Sequence, residues 1–196
     1  MFSSSLASEV RLAMEGSTVS SALICSLNVA LGEAFAAAVV KTLQNMKSSF
    51  ASSSTSTSAS FLLPSFVACH GQTIWHAPSL HCTLQLGEAS VLLEHMPMHV
   101  KHVVSNFRAM DVAVGGQGAP LVPFFDFWAW GDAPEELCLA NLGGIANVTL
   151  LGAGLDPIGF DTGPANVVVD SLCLQLLKMP CDMNGKEKAS QYFSLF

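Results

Sequence analysis

Apolar residues recur at helical spacing from Ser21 to about Met46, with Ile24, Leu27, Leu31, Phe35 and Ala38 on one stripe. This predicts a long helix. The twenty residues before it are Ser/Ala-rich and weakly patterned. Lys47 to Ser60, "KSSFASSSTSTSAS", is polar and of low complexity, and reads as a flexible connector that buries no face. The pattern then shortens. "SFVACH", "CTLQLGE" and "HVVSNF" each read as a short strand, the second by its alternation. "ELCLANLGGIANVTLLG", Glu136 to Gly152, predicts two strands around a Gly-Gly turn. "PIGFDTGPAN" predicts a strand ending in a glycine-proline turn. "ANVVVDSLCLQLLKM" predicts a helix to Met179, with Leu172, Leu176 and Met179 on one face and Pro164 just ahead of its first turn. The organisation expected is residues 1–60 as N-terminal helix plus connector and residues 61–196 as an α/β core.

Charge and composition narrow the function. Eight scattered Lys and Arg against fifteen Asp and Glu give a net charge of −7, which argues against binding nucleic-acid phosphates. The chain is apolar, with a mean hydropathy of +0.47. Its best membrane candidate, Ser21 to Val40, is interrupted by Asn28, Gly32 and Glu33 and is alanine-rich, so a buried core helix is the expectation. No secretory leader is evident at the start. Six cysteines without a CxxC pair read as small buried hydrophobes in a reducing cytosol.

Four polar segments interrupt this apolar scaffold, each at the expected end of a strand, where α/β sheets bind ligands. In "CHGQTIWHAP", His70, Gln72 and Thr73 offer hydrogen-bonding groups beside Gly71. The spacing of His70, His76 and His81 fits no zinc pattern, and His76 and His81 read as structural. In "NFRAMDVAVGGQGAPLVP", Arg108 and Asp111 can share one side of a turn or short helix, followed by Gly115, Gly116 and Gly118. A structural salt bridge is the plain alternative, but so many glycines are an entropic cost for a mere connection. In "NLGGIANVT", Asn141, Gly143, Gly144 and Asn147 can present a phosphate-binding turn or form an ordinary hairpin. In "GFDTGPAN", Asp161, Thr162 and Gly163 precede a helix, where Asp161 can hold a hydrated Mg²⁺ or a sugar hydroxyl, or can cap that helix. Together these turns point to a small-molecule site with phosphate.

"HGQTIWHAP", "TLQLGE", "FRAMDVAVGGQGAPLVP", "NLGGIANVT" and "GFDTGPANVVVD", in this order, closely resemble the anhydro-N-acetylmuramic acid kinases. The resemblance is strong from about Val67 to Asp170 and weaker through "CDMNGKEKAS". It implies an incomplete ribonuclease-H-like α/β core of the actin/hexokinase/Hsp70-like ATPase superfamily. It further implies a cytoplasmic enzyme using ATP and Mg²⁺ that opens the 1,6-anhydro ring of its amino sugar and phosphorylates O6, in cell-wall recycling. Its partners would be the sugar and ATP, with a homodimer compatible and neither nucleic acid nor membrane expected. Asp111 would be the catalytic base. His70, Gln72, Thr73, Arg108, Gly115, Gly116 and Gly118 would bind the sugar. Asn141, Gly143, Gly144, Asn147, Asp161, Thr162 and Gly163 would bind phosphate. Asn106 stands where the family usually has Asp, Ala165 where it has Gly, and Asp126 where His is common. The family's first phosphate loop, "GTSxDG", and its adenosine-binding segment have no counterpart here, so the expectation is a middle portion of a longer kinase with little activity alone. The alternative is an inactive sugar- or phosphate-binding remnant of the same fold.

Overall fold

A computed structural model describes residues 3–15, 18–52, 64–152, 154 and 156–182. The fold is mixed α/β and divides into two units, Met1–Ala119 and Pro120–Phe196.

The first unit opens with α1 (Ser4–Met14), whose N-cap Ser3 hydroxyl accepts a hydrogen bond from the Leu6 N–H. The predicted long helix is α2 (Ser21–Ser52), begun by a bond from the Leu23 N–H to the Ser20 hydroxyl. It runs beyond the expected end, so Lys47 to Ser52 is helix rather than connector. Ser48 sits there by returning its hydroxyl to the Gln44 carbonyl, 3.0 Å away. The rest of the expected connector, residues 53–60, lies outside the described residues.

Over Ser21–Ser48, α2 is long and apolar enough to cross a membrane by length and composition. Only one stripe of it is buried, and most of its surface is not, so the expected core helix is a core helix on one side alone. Leu27 and Leu31 are fully buried and form one cluster with Val10 and Ala13 of α1, Ile74 of β2 (Gln72–Ala77) and Leu86 of β3 (Cys82–Leu86). Burying a leucine contributes about 1.5–3 kcal/mol. Two of the three residues that interrupt the apolar run, Asn28 and Gly32, dock it. Asn28 accepts from the Gly87 N–H at 2.8 Å and donates to Glu88 Oε2 at 3.0 Å. A Cβ on Gly32 would lie 2.9 Å from the Glu88 carbonyl, so only glycine lets the two backbones approach this closely.

Glu88 then caps α3 (Ala89–Glu94) by accepting from the Ser90 N–H. Strand β1 (Phe66–Ala68) pairs in parallel with β4 (His102–Val104), as two of the three predicted short strands. β2 was expected as a polar turn and is instead a strand antiparallel to β3, joined through a 3₁₀ turn at Pro78–Leu80. Thr73, Ile74 and Trp75 are strand formers, and Ile74 reaches the core, so burial outweighs the turn character of the flanking glycine and histidines. α4 (Phe107–Ala113) completes the unit.

In the second unit, α5 (Val122–Trp130) packs against an antiparallel sheet of β5 (Leu137–Leu142), β6 (Ile145–Leu151) and β7 (Ile158–Pro164). The β5–β6 hairpin around Gly143 and Gly144 is as predicted. β7 carries Asp161, Thr162 and Gly163 within the strand rather than in a turn beyond it, and the register shifts opposite Ala146 and Asn147. α6 (Asn166–Leu172) follows, with Pro164 just before its N-cap Ala165. It widens into five π-helical residues, Cys173–Leu177. Leu172 and Leu176, expected on one face with Met179, are exposed, and Cys173 is the buried residue. The π-helical step breaks the 3.6-residue phase on which that face depended. The cysteines also depart from expectation, with Cys25, Cys82 and Cys138 exposed.

Candidate active site

The opening of α4 places the first group of side chains. Its N-cap, Asn106, is left-handed (φ 62°), a conformation that asparagine tolerates better than most residues. Arg108 then donates from Nε to His70 Nε2 at 2.7 Å and from Nη1 to the Gly118 carbonyl at 2.7 Å. His70 Nδ1 lies 2.8 Å from the Gly71 carbonyl. A guanidinium only donates, so His70 Nε2 is the acceptor and Nδ1 carries the proton. The network therefore selects one tautomer of His70.

Asp111, one turn along α4, accepts from the Gly118 N–H at 2.6 Å. Arg108 and Asp111 thus grip the two sides of one glycine, and the expected alternative of a direct salt bridge is replaced by a shared hold on the loop. The glycines have separate tasks. Gly115 and Gly118 have positive φ, 96° and 69°. Gly116 is required by space, because a Cβ there would overlap the Asp111 carboxylate. A Cβ on Gly118 would meet Val112 at 2.8 Å and His76 at 3.1 Å. The loop "GGQG" is the seat of a carboxylate.

Beside it lies a polar row on β2 and β3. His76 Nδ1 is 3.1 Å from the Thr83 hydroxyl, and Gln85 donates to Thr83 at 2.8 Å and to Thr73 at 3.4 Å. Thr73 belongs to this row. Gln72 points elsewhere, with its amide toward Met14 Sδ and the Thr73 carbonyl. Thr83 and Gln85 were missed by the sequence reading. Their signal was the alternation of "CTLQL", which places both on one strand face. His81 stands apart in a left-handed turn position (φ 52°).

The second group is in the other unit. Strand register sets Asn141 opposite Asn147 and Asn147 opposite Asp161, so three residues spread over 21 positions form one polar row across three strands. The next row on that face contains Thr149, which donates at 2.6 Å to the buried carboxylate of Asp126 on α5. Neither Asp161 nor Thr162 caps α6: the N-cap Ala165 makes no side-chain bond, and Thr162 donates to the Ala146 carbonyl. The Gly143 and Gly144 carbonyls take the first α6 N–H groups, from Ala165, Asn166 and Val167. The Asn166 amide closes the junction on the Leu142 carbonyl. The α6 N-terminus is thereby occupied, and an anion would be met by the turn and the asparagine row. Gly163 has a φ of 141° with open space around it. Among the described residues no cluster of three His, Cys, Asp or Glu could hold a metal.

A glycine-seated carboxylate with polar strand neighbours, and a separate asparagine row at a Gly-Gly turn, are the two polar groups that the fold assembles. The family model for anhydro-N-acetylmuramic acid kinase matches residues 4–192, and the chain belongs to that family. An anhydro-N-acetylmuramic acid kinase of Bacillus cereus (strain 03BB102) is 37% identical over 195 residues, covering 94% of this chain and 47% of the relative. One from Clostridioides difficile (strain 630) is 39% identical over 171 residues, covering 83% of this chain and 41% of the relative. The chain therefore spans about half the length of the curated relatives it matches. Kinase family membership implies use of ATP.

Proposed function

We propose that this chain supplies the sugar-binding and base-bearing part of an ATP-dependent anhydro-N-acetylmuramic acid kinase, built on an incomplete ribonuclease-H-like core of the actin-like ATPase type. The observation that carries the reading is the Asp111 carboxylate, held by the Gly118 N–H and seated on Gly116 within a family-matched segment. A carboxylate fixed in this way can take a proton from water as that water attacks the anomeric carbon. The C1–O6 bond of the anhydro ring then breaks, and O6 attacks the γ-phosphorus with ADP as leaving group. Arg108, held by His70 and Gly118, and the Thr73–Gln85–Thr83–His76 row would orient the sugar hydroxyls. Gly115 would line the same region, whereas Gln72 turns its amide away toward Met14. Asn141, Asn147, Asp161, Thr162 and the Gly143–Gly144 turn, with Gly163 freeing the strand end, would meet the phosphates. Mg²⁺, bound through Asp161 and the phosphates, would neutralise phosphate charge. The protein would be cytoplasmic.

Calorimetry with the anhydro-sugar tests the binding half of this reading. The chain and its Asp111→Asn variant should both bind, and Arg108→Ala should weaken binding about tenfold. ATP-dependent phosphate transfer by the chain alone should be close to background, since it spans half of its relatives. Sugar binding absent from the chain, or unchanged by Arg108→Ala, would overturn the assignment of that site.

A further inference from the structure

Gly118 is held on both of its backbone polar groups. Its carbonyl accepts from Arg108 Nη1 at 2.7 Å, and its N–H donates to Asp111 Oδ2 at 2.6 Å. With a φ of 69° and Val112 at 2.8 Å from any added Cβ, the position admits only glycine. Arg108 is itself anchored by Nε on His70 Nε2, at 2.7 Å. The contacts therefore run from His70 to Arg108, to Gly118 and to Asp111, through three hydrogen bonds.

The first of these contacts is conditional on charge. A guanidinium donates and never accepts, so the His70–Arg108 bond exists only while His70 Nε2 carries no proton. A proton there would leave the ring with donors on both sides, remove the acceptor of Arg108 Nε and set two cations against each other. Both ring nitrogens are already taken, by Arg108 and by the Gly71 carbonyl, so no carboxylate bonds the ring to offset the second charge. Asp111 of α4 and His76 of β2 face Gly118 rather than His70, and Cys69 is its neighbour in the chain. His70 is exposed, so solvent sets its charge. Histidine is the side chain that changes charge between about pH 5 and 8.

We propose that His70 is a positioning residue, a proton-operated latch that holds Arg108, and through it the Gly118 end of the Asp111 seat, only in its unprotonated form. Acidification opens the latch. Arg108 keeps its bond to the Gly118 carbonyl and loses its Nε anchor, so the guanidinium no longer has a fixed direction. Sugar affinity then falls with pH although Arg108 keeps its charge. The latch itself rests on the geometry of the four residues, and its effect on affinity rests on the proposed reading of Arg108 as a sugar ligand.

The test follows both in this full chain. ¹⁵N NMR from about pH 8.5 to about pH 5.5 reads the histidine rings and the arginine Nε–H groups. The expected result is a His70 proton on Nδ1 at the alkaline end, with an Arg108 Nε–H protected from exchange. That protection should vanish in step with the protonation of His70. His70→Ala should lack it at both ends of the range. His70→Gln, whose amide oxygen can accept in place of Nε2 without titrating, should keep it at both. Calorimetry with the anhydro-sugar should find the unsubstituted chain about fivefold weaker at the acid end, the net worth of one hydrogen bond. His70→Gln should recover affinity that His70→Ala loses, and should be flat with pH. An Arg108 Nε–H that ignores the protonation of His70, or a His70 proton on Nε2 at the alkaline end, would overturn the latch. Affinity that is flat with pH in the unsubstituted chain, or that falls equally in His70→Gln, would overturn its link to the site. Protection that follows His70 while no form binds the sugar at any pH would uphold the latch and overturn the reading of Arg108 as a sugar ligand.

Discussion

The two polar groups of this protein are built in opposite ways. The Asp111 seat is local: carboxylate, arginine and glycines fall between Arg108 and Gly118, and their hydrogen bonds close within that segment and onto His70. The Asn141–Asn147–Asp161 row is assembled by strand register from three separate strands, and its side chains stand on a sheet rather than in a cradle. A seat of the first kind holds one atom in place and tolerates no added volume. A row of the second kind offers donors and acceptors at fixed spacing and tolerates small changes. That is the division expected between a proton-transfer group, whose position sets the rate, and a surface for a charged, hydrated ligand.

Substitutions can break this comparison, and they are best read on the complemented enzyme. Asp111→Asn removes the base while keeping the Gly118 bond acceptor, and should lower kcat by about 10²–10⁴ with little change in sugar affinity. A coupled ADP-release assay beside calorimetry checks it. Gly116→Ala should lower kcat about 10²-fold, because its Cβ displaces the carboxylate. Gly115→Ala, with open space but a strained φ, should instead cost about 1 kcal/mol of stability and spare the rate. Equal rate losses in the two alanine variants would dissolve the idea of a carboxylate seat. In the other unit, Thr149→Val leaves the buried Asp126 oxygen without its donor and should lower stability by about 1–3 kcal/mol in thermal unfolding. Asp161→Asn should raise the KM for MgATP about tenfold and leave sugar binding intact. A kcat loss as large as that of Asp111→Asn would erase the contrast between the groups.

The smallest effect is a pH dependence in the first unit. The Ser90 hydroxyl and N–H hold the Glu88 carboxyl below the ordinary glutamate range, with the Asn28 amide adding to them against a small opposing effect of burial. A depressed carboxylate contributes stability above its unfolded pKa and loses it as pH falls through the folded value. Glu88→Gln should therefore reduce stability by a few tenths of a kcal/mol near neutrality and flatten its acid dependence. An unfolding series from pH 7 to pH 3 on both proteins checks the sign.

Legibility in the sequence followed locality. The α2 stripe, the β5–β6 hairpin and the Arg108–Gly118 segment are written in neighbouring residues and were readable from spacing, turn chemistry and motif wording. The strand β2 was not, because glycine and histidine around "QTIW" signal a turn until Ile74 is given a core to enter. Thr83 and Gln85 were overlooked because alternation says that two polar residues share a face, not which neighbours line it. The widening after α6 was not readable because a π-helical step is invisible to a 3.6-residue count.

By itself the sequence determined the family, the helical and hairpin segments, and the identity of the carboxylate with its glycines. Those properties depend on local backbone preference and on residue order. Only the tertiary structure decided that Arg108 serves His70 and Gly118 rather than Asp111, and that Asn141, Asn147 and Asp161 form one row. Each of these is set by packing and register between segments distant in the chain, where burial and shared hydrogen bonds outweigh local preference.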